Sequence, residues 1–373
     1  MKQRSLLLFE ESIKSPIARK NYLRHITYFL KFTKIKDYDG LIQVPNEQME
    51  TMIQDYVFHL KQTINPNSVP IYMTGIKHFF IMNRVKIFWD LIQKMYPEHV
   101  KKSGQKAWSD IHIRKMIEYS NSARNKALIH FMASAGARIG VHNYPLQMQH
   151  LKDTGDGCRA ILIYAGEIDE YWAFLTPEAT RALEDSFEER RKDNEKFYPD
   201  TPIFRKKYVL GIEKSVQLSR NAAISVITRL VSRAKITRVK VNKKNFDIQL
   251  DHGFRKRFNI ILKLENSINS NIAEKILGHS VTIPLDGTYL PAEDERVIEK
   301  CFTEFKKAIP QLTIDNSLRK QAEIDRLEEE KNDSKYQSIK IKALETQIAE
   351  LDTLKEDHEK IMAWIERQEN KKA

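Results

Sequence analysis

Four short stretches in the second half of the chain hold side chains suited to work on a phosphate. Gly136-Ala137-Arg138-Ile139-Gly140 follows an apolar helical run and sets one arginine on a tight turn. Asp251-His252-Gly253-Phe254-Arg255 separates His252 from Arg255 by three residues, which places both on one face of a helix. Leu277-Gly278-His279-Ser280 ends another helix with a histidine, and Tyr289 stands ten residues later, just before Leu290-Pro291. The other chemistries are poorly represented. There is no Gly-rich phosphate loop followed by Lys-Ser/Thr, no HExxH, no paired-cysteine zinc pattern and no GxSxG elbow. Acidic residues are plentiful, but no short cluster reads as a two-metal nuclease site, so the expected metal content is none. Phosphoryl transfer without a metal needs fixed cations that offset charge on the non-bridging oxygens as five-coordinate phosphorus forms. Two arginines and two histidines are such a set, and a phenol is a possible nucleophile.

The order Arg, His-x-x-Arg, Leu-Gly-His, Tyr resembles the catalytic domain of the tyrosine recombinase/integrase family. Each fragment is weak alone, and the four in order at near-family spacing are strong together. Ser15-Pro16 followed by Tyr22, Leu23 and Phe29, and later Gly75-Ile76-Lys77-His78-Phe79-Phe80, resemble that family's helical core-binding domain. Leu285-Asp286-Gly287-Thr288-Tyr289-Leu290-Pro291 is similar to integrases of archaeal mobile elements. The resemblance spans about residues 12 to 312. It implies that Arg138 and Arg255 clamp the scissile phosphate, that His252 hydrogen-bonds it and assists proton transfer, and that His279 donates to a non-bridging oxygen. Tyr289 then attacks phosphorus, giving a 3′-phosphotyrosine and a free 5′-hydroxyl with no cofactor. A two-domain clamp on double-stranded DNA and self-association as dimers or tetramers are implied too. Three positions depart from the family. Val141 stands where an acidic residue is usual, and His279 to Tyr289 is one residue longer than the commonest spacing. The hairpin Ala165-Gly166-Glu167-Ile168-Asp169-Glu170 lacks the family's lysine, none occurring between Lys152 and Lys192. Lys152, a residue of Arg205-Lys206-Lys207, or water would have to serve instead. The alternative is a relative that binds DNA without cutting it, an accessory or architectural factor.

Composition agrees with a polyanionic partner. The formal net charge is +12, while the segment from Asp315 onward holds twelve basic and fifteen acidic residues, so the body carries about +15. Lys214 to Phe246 contains nine Lys or Arg and no Asp or Glu. Such a face gains affinity by releasing counterions from phosphates. Lys20, Arg24, Lys77, Lys106, Lys235, Arg238 and Arg257 are the candidate backbone contacts, with Arg19 and His78 beside the first group. No run of eighteen apolar residues and no leader-like N-terminus is present, which points to a cytoplasmic, nucleoid-associated protein without membrane contact. Cys158 and Cys301 are too few for a disulfide framework and read as buried thiols.

The elements that must position these residues are mostly helical. Residues 12 to about 100 read as three helices: one starting at Ser15-Pro16, one through Met49–Leu60, and one capped near Asn67-Ser68. Lys101-Lys102-Ser103-Gly104-Gln105-Lys106 is the linker candidate. Helices resume over Ile111–Tyr119 and Ala123–Ala133. Ala160–Tyr164 and Tyr171–Leu175 form a hairpin around Gly166–Glu170. Helices return at Pro177–Arg190, Arg220–Ala234, His252–Leu264, Ile272–Leu277 and Ala292–Ile309. Beyond Ser317 the chain is Glu/Lys-rich, and Ile341, Leu344, Ile348 and Leu351 step as the seam of a coiled coil. The expected fold is mainly α with a small β-hairpin or sheet. A core-binding domain spans residues 1–100, a basic linker 101–107, a mixed α+β catalytic domain 108–312, and a charged helical tail 313–373.

Overall fold

The computed structural model describes residues 3–100, 106–207, 214–241, 245–264, 267–279 and 294–320, and beyond these residues 324, 327–328, 331–332 and 335–338. The chain divides into two compact units, Met1–Lys102 and Ser103–Ala373.

The first unit is helical throughout: α1 (Arg4–Glu11), α2 (Pro16–Thr33), α3 (Tyr38–Gln43), α4 (Asn46–Thr63), α5 (Val69–Met82) and α6 (Trp89–Lys94). Ser15 starts α2 by accepting a hydrogen bond from the Ala18 amide, with Pro16 at the first helical position, where its missing N–H costs nothing. The apolar stripes of α2, α4 and α5 meet in one core that includes Phe29, Ile53, Tyr56, Ile76, Phe79 and Phe80. The three long helices follow from their periodicity. α1, α3 and α6 are additional, and each is too short to show a repeating apolar face.

The second unit opens with α7 (Asp110–Glu118) and α8 (Ala123–Ala135). Then come a 3-10 turn at Ile139–Asn143 and a three-stranded antiparallel sheet of β1 (Leu151–Gly155), β2 (Cys158–Ile163) and β3 (Tyr171–Leu175), in that order. The hairpin register pairs Ile163 with Tyr171 and Arg159 with Leu175. α9 (Pro177–Lys192), α10 (Arg220–Arg233), α11 (His252–Leu264), α12 (Ser270–Ile276), α13 (Glu295–Lys306) and α14 (Ile309–Leu312) complete the described elements. The long helix expected over Ala292–Ile309 is two helices broken after Lys306; Pro291 and residues 292–293 lie outside the described residues. One core surrounds α8, with Leu128, Phe131, Ile161, Phe204 and Phe254. A second gathers Cys158, Phe174, Phe258, Ile276 and Phe305 between the sheet, α11, α12 and α13.

Cys158 and Cys301 are free and buried, and burial lifts their thiols to about 12 and about 11. The described residues between 316 and 338 are helical, whereas the seam Ile341–Leu351 and the linker residues 101–105 lie outside the described residues. No described helix is long and apolar enough to cross a membrane. The chain is mainly α with a small antiparallel sheet: a helical unit and a mixed α+β unit, in which the described residues from 316 to 338 are helical.

Candidate active site

Arg138 owes its place to the way α8 ends. Gly136 closes that helix in the left-handed conformation at φ +56°, and a Cβ there would sit 2.3 Å from the Phe258 ring of α11. Two residues later Arg138 is extended, at φ −69° and ψ 141°. Its Nη1 donates to the Gly278 carbonyl at 3.1 Å. Arg255 lies one turn into α11 and is only 7% exposed. Its Nη1 donates to the Gly136 carbonyl at 2.9 Å and its Nη2 to the Leu277 carbonyl. The two guanidiniums therefore bind successive carbonyls at the end of α12 and are close enough to repel each other. Desolvation pulls Arg255 below its usual range; the buried Tyr171 phenol opposes that shift and Arg138 adds to it.

Gly278 is the second close approach. It is left-handed at φ +58°, and a Cβ on it would fall 2.3 Å from the Tyr171 ring of β3. The turn it makes delivers His279, whose Nδ1 is bonded to a Glu274 carboxylate oxygen. Glu274 also meets Lys263 at 2.6 Å. Burial would raise its carboxyl, but hydrogen bonds from Lys263 and His279 outweigh this and hold it below the usual range. With Nδ1 committed, Nε2 is the ring nitrogen left for a ligand. His252 is the first residue of α11, exposed, and three residues from Arg255 on the same helix. Arg138, Arg255 and His279 thus converge at the end of α12, with His252 on the helix that carries Arg255. Tyr289 lies outside the described residues.

Two tyrosines that the motifs did not single out complete the surroundings. Tyr171 is 6% exposed, and burial pushes its phenol up to about 12 against the pull of Arg255. Tyr164 follows β2, partly buried; burial raises its phenol, while Arg138 and Arg255 lower it. Both read in the sequence as ordinary strand aromatics, and Glu274 as an ordinary helix carboxylate; only folding sets them beside the motif residues.

The remaining cations divide sharply. Arg257 is not a DNA contact. It is 5% exposed, ion-paired with Asp110 at 2.8 Å, and bonded to the Gln311 and Leu312 carbonyls. Val141 is buried in the core rather than turned to the site. Lys152 reaches Glu295 of α13 at 2.8 Å, and buried Arg205 pairs with Asp193 and Glu195. Arg205 is committed by these buried pairs, whereas the Lys152 pair is at the surface, 42% and 78% exposed at the two side chains. Arg238 donates to the Ile248 carbonyl and stacks 4.1 Å over Phe246. Lys106, 69% exposed at its side chain, is 3.1 Å from Asp247. Lys235 is exposed at a left-handed position, φ +50°. In the first unit Lys20 and Arg24 are exposed on one face of α2, and Lys77 lies 5.9 Å over the Trp89 ring. Arg19 donates to the Ile13 carbonyl, and His78 is bonded to Ser12.

No protein-family profile and no curated protein sequence matches the chain. Solved structures do. The Tn1549 transposon integrase in complex with transposon right-end DNA aligns at 12% identity and a TM-score of 0.53, over 79% of this chain and 97% of that one. A lambda integrase dimer bound to a core site aligns at 13% identity and a TM-score of 0.49, over 79% and 96%. The XerH site-specific recombinase in its post-cleavage complex aligns at 16% identity and a TM-score of 0.46, over 76% and 78%. The likeness to the transposon integrase, together with the helical unit and the small sheet flanked by helices, gives this chain the tyrosine recombinase/integrase fold.

Proposed function

We propose that this protein is a site-specific DNA recombinase or integrase, cutting and rejoining strands through a 3′-phosphotyrosine on Tyr289. The observation that carries the reading is the pairing of Arg138 with Arg255. A buried guanidinium, Arg255, is held beside the half-buried one of Arg138, and among the described residues neither is ion-paired to a carboxylate. That arrangement is costly unless an anion completes it. A phosphodiester suits it, because planar forks can grip both non-bridging oxygens where a lysine would act as a point charge. His279 adds a donor through Nε2, and His252 takes the proton of the attacking phenol. The phosphotyrosine conserves the energy of the broken diester, so rejoining needs no ATP. Lys20, Arg24, Lys77, Lys106 and Lys235 are proposed backbone contacts, with Arg238 in a supporting place. Assembly into dimers or tetramers on DNA belongs to the same proposal.

A second reading, a relative that binds DNA without cutting, is favoured by the hairpin. It has no lysine, and Lys152 is engaged by Glu295. Incubation with a pool of nicked duplexes carrying a randomised core separates the two readings. The first expects a protein–DNA adduct that survives denaturation, abolished by Tyr289→Phe with binding retained. Binding without any adduct would establish the second.

A further inference from the structure

Cleavage of a phosphodiester expels the 5′-oxygen as an alkoxide, too basic to leave at neutral pH without a proton. The groups already placed do not supply one. Arginine is too weak an acid, Tyr171 is walled in at 6% exposure, and Lys152 is turned to the surface beside Glu295, 2.8 Å away.

We propose that Tyr164 donates that proton, an assignment that rests on the recombinase reading. Its backbone has φ +57°, a left-handed conformation that is strained for a non-glycine residue. The residue stands just past the end of β2. The ring lies 5.0 Å from Tyr144, edge to face, and 6.2 Å from Tyr171. Its hydroxyl oxygen stands over Gly140, 3.6 Å from where a Cβ on that glycine would be, two residues past Arg138. The hydroxyl makes no hydrogen bond to another described residue, although it lies in the field of both arginines. A phenol in that place is protonated at neutral pH, because burial disfavours the phenolate. When the proton leaves, the positive charges of Arg138 and Arg255 stabilise what remains.

The step balances. The Tyr289 oxygen bonds to phosphorus and its proton passes to the imidazole of His252. The bond from phosphorus to the 5′-oxygen breaks with its electron pair going to oxygen, and that oxygen takes the Tyr164 proton. In rejoining, the Tyr164 phenolate removes the proton from the incoming 5′-hydroxyl as its oxygen bonds to phosphorus; the bond from phosphorus to the Tyr289 oxygen breaks with its electron pair going to that oxygen, which takes back the proton held by His252.

The test uses the full chain and the duplex recovered from the randomised pool, made in two forms: the natural one, and one with sulfur as the 5′-bridging atom. A thiolate leaves without being protonated. Tyr164→Phe should slow adduct formation on the natural duplex by about 100-fold and leave the sulfur-bridged duplex within about threefold of the unmodified protein. Since the lost hydroxyl holds no structural bond, the variant should fold. Unchanged rates on the natural duplex, equal slowing on both duplexes, or the same selective rescue with Tyr144→Phe instead would each overturn the assignment to Tyr164. Absence of an adduct from the unmodified protein on both duplexes would instead overturn the recombinase reading beneath it.

Discussion

Arg255 sits at 7% exposure with its guanidinium spread between the carbonyls of Gly136 and Leu277, so it works both as scaffold and as ligand. Arg255→Lys keeps the charge and loses the fork. Adduct formation should fall by about 100-fold or more, the loss expected when one oriented donor is removed from a charge-stabilising site, as single-turnover rates on the recovered duplex would show. Arg257, two residues on, is the opposite case. It is buried beside Asp110, and Arg257→Ala takes a buried donor from the Gln311 and Leu312 carbonyls while Asp110 keeps Arg319, which should cost about 1–3 kcal/mol in denaturant unfolding. DNA affinity of the folded variant should be unchanged. In the sequence Arg255 is set apart by His252 three residues before it, whereas Arg257 reads as one more cation of the same basic run, and its burial is not legible there. Helical geometry decides. Arg255 faces the ends of α8 and α12, and Arg257 faces α7 and α14.

At the scale of elements, the site is built from helix ends. α8 and α12 each close on a left-handed glycine with an aromatic ring packed where a side chain would be. Gly278→Ala should therefore destabilise the second unit by about 2–4 kcal/mol, the sum of backbone strain and a forced shift of Tyr171, measured by thermal or urea unfolding. It should also displace His279. Much of this level was legible. His252–Leu264 is a helix with the expected bounds, because its apolar residues keep a clean period and Gly253 leaves room for Trp108. The hairpin followed from two short runs rich in β-branched and aromatic residues on either side of the polar Gly166–Glu170 turn. β1 did not, since Leu-Lys-Asp-Thr-Gly has no apolar alternation and is held by pairing with β2 alone. The motif arginines and His279 were legible as a set because their spacing survives in sequence. Tyr164 was not, because its role depends on a left-handed backbone position and on neighbours distant in the chain.

For the whole molecule, charge and buried histidines set the response to solution conditions. The +12 chain should lose DNA affinity steeply with salt, about a thousandfold from roughly 50 to 200 mM if six phosphates are neutralised; a flat dependence would remove the argument from its basic faces. Burial holds His25 of the first unit and His142 of the second neutral, with pKa values lowered to about 4, and lowers His130 and His150 of the second unit too. Because the folded values lie below the ordinary 6.5, the stability these rings contribute is complete above that pH and is lost as pH falls from 6.5 towards 4. Melting temperatures should drop over that window, and His142→Gln should flatten the slope for the second unit. The central claim is narrower than any of these: one named phenol becomes bonded to DNA. Tryptic cleavage after Lys275 and Arg296 releases Ile276–Arg296, whose single tyrosine is Tyr289, whereas Tyr164 and Tyr171 fall together in Ala160–Arg181. Mass spectrometry of the trapped adduct should find the nucleotide on the first peptide. Finding it on Ala160–Arg181, or on any other, would contradict the account.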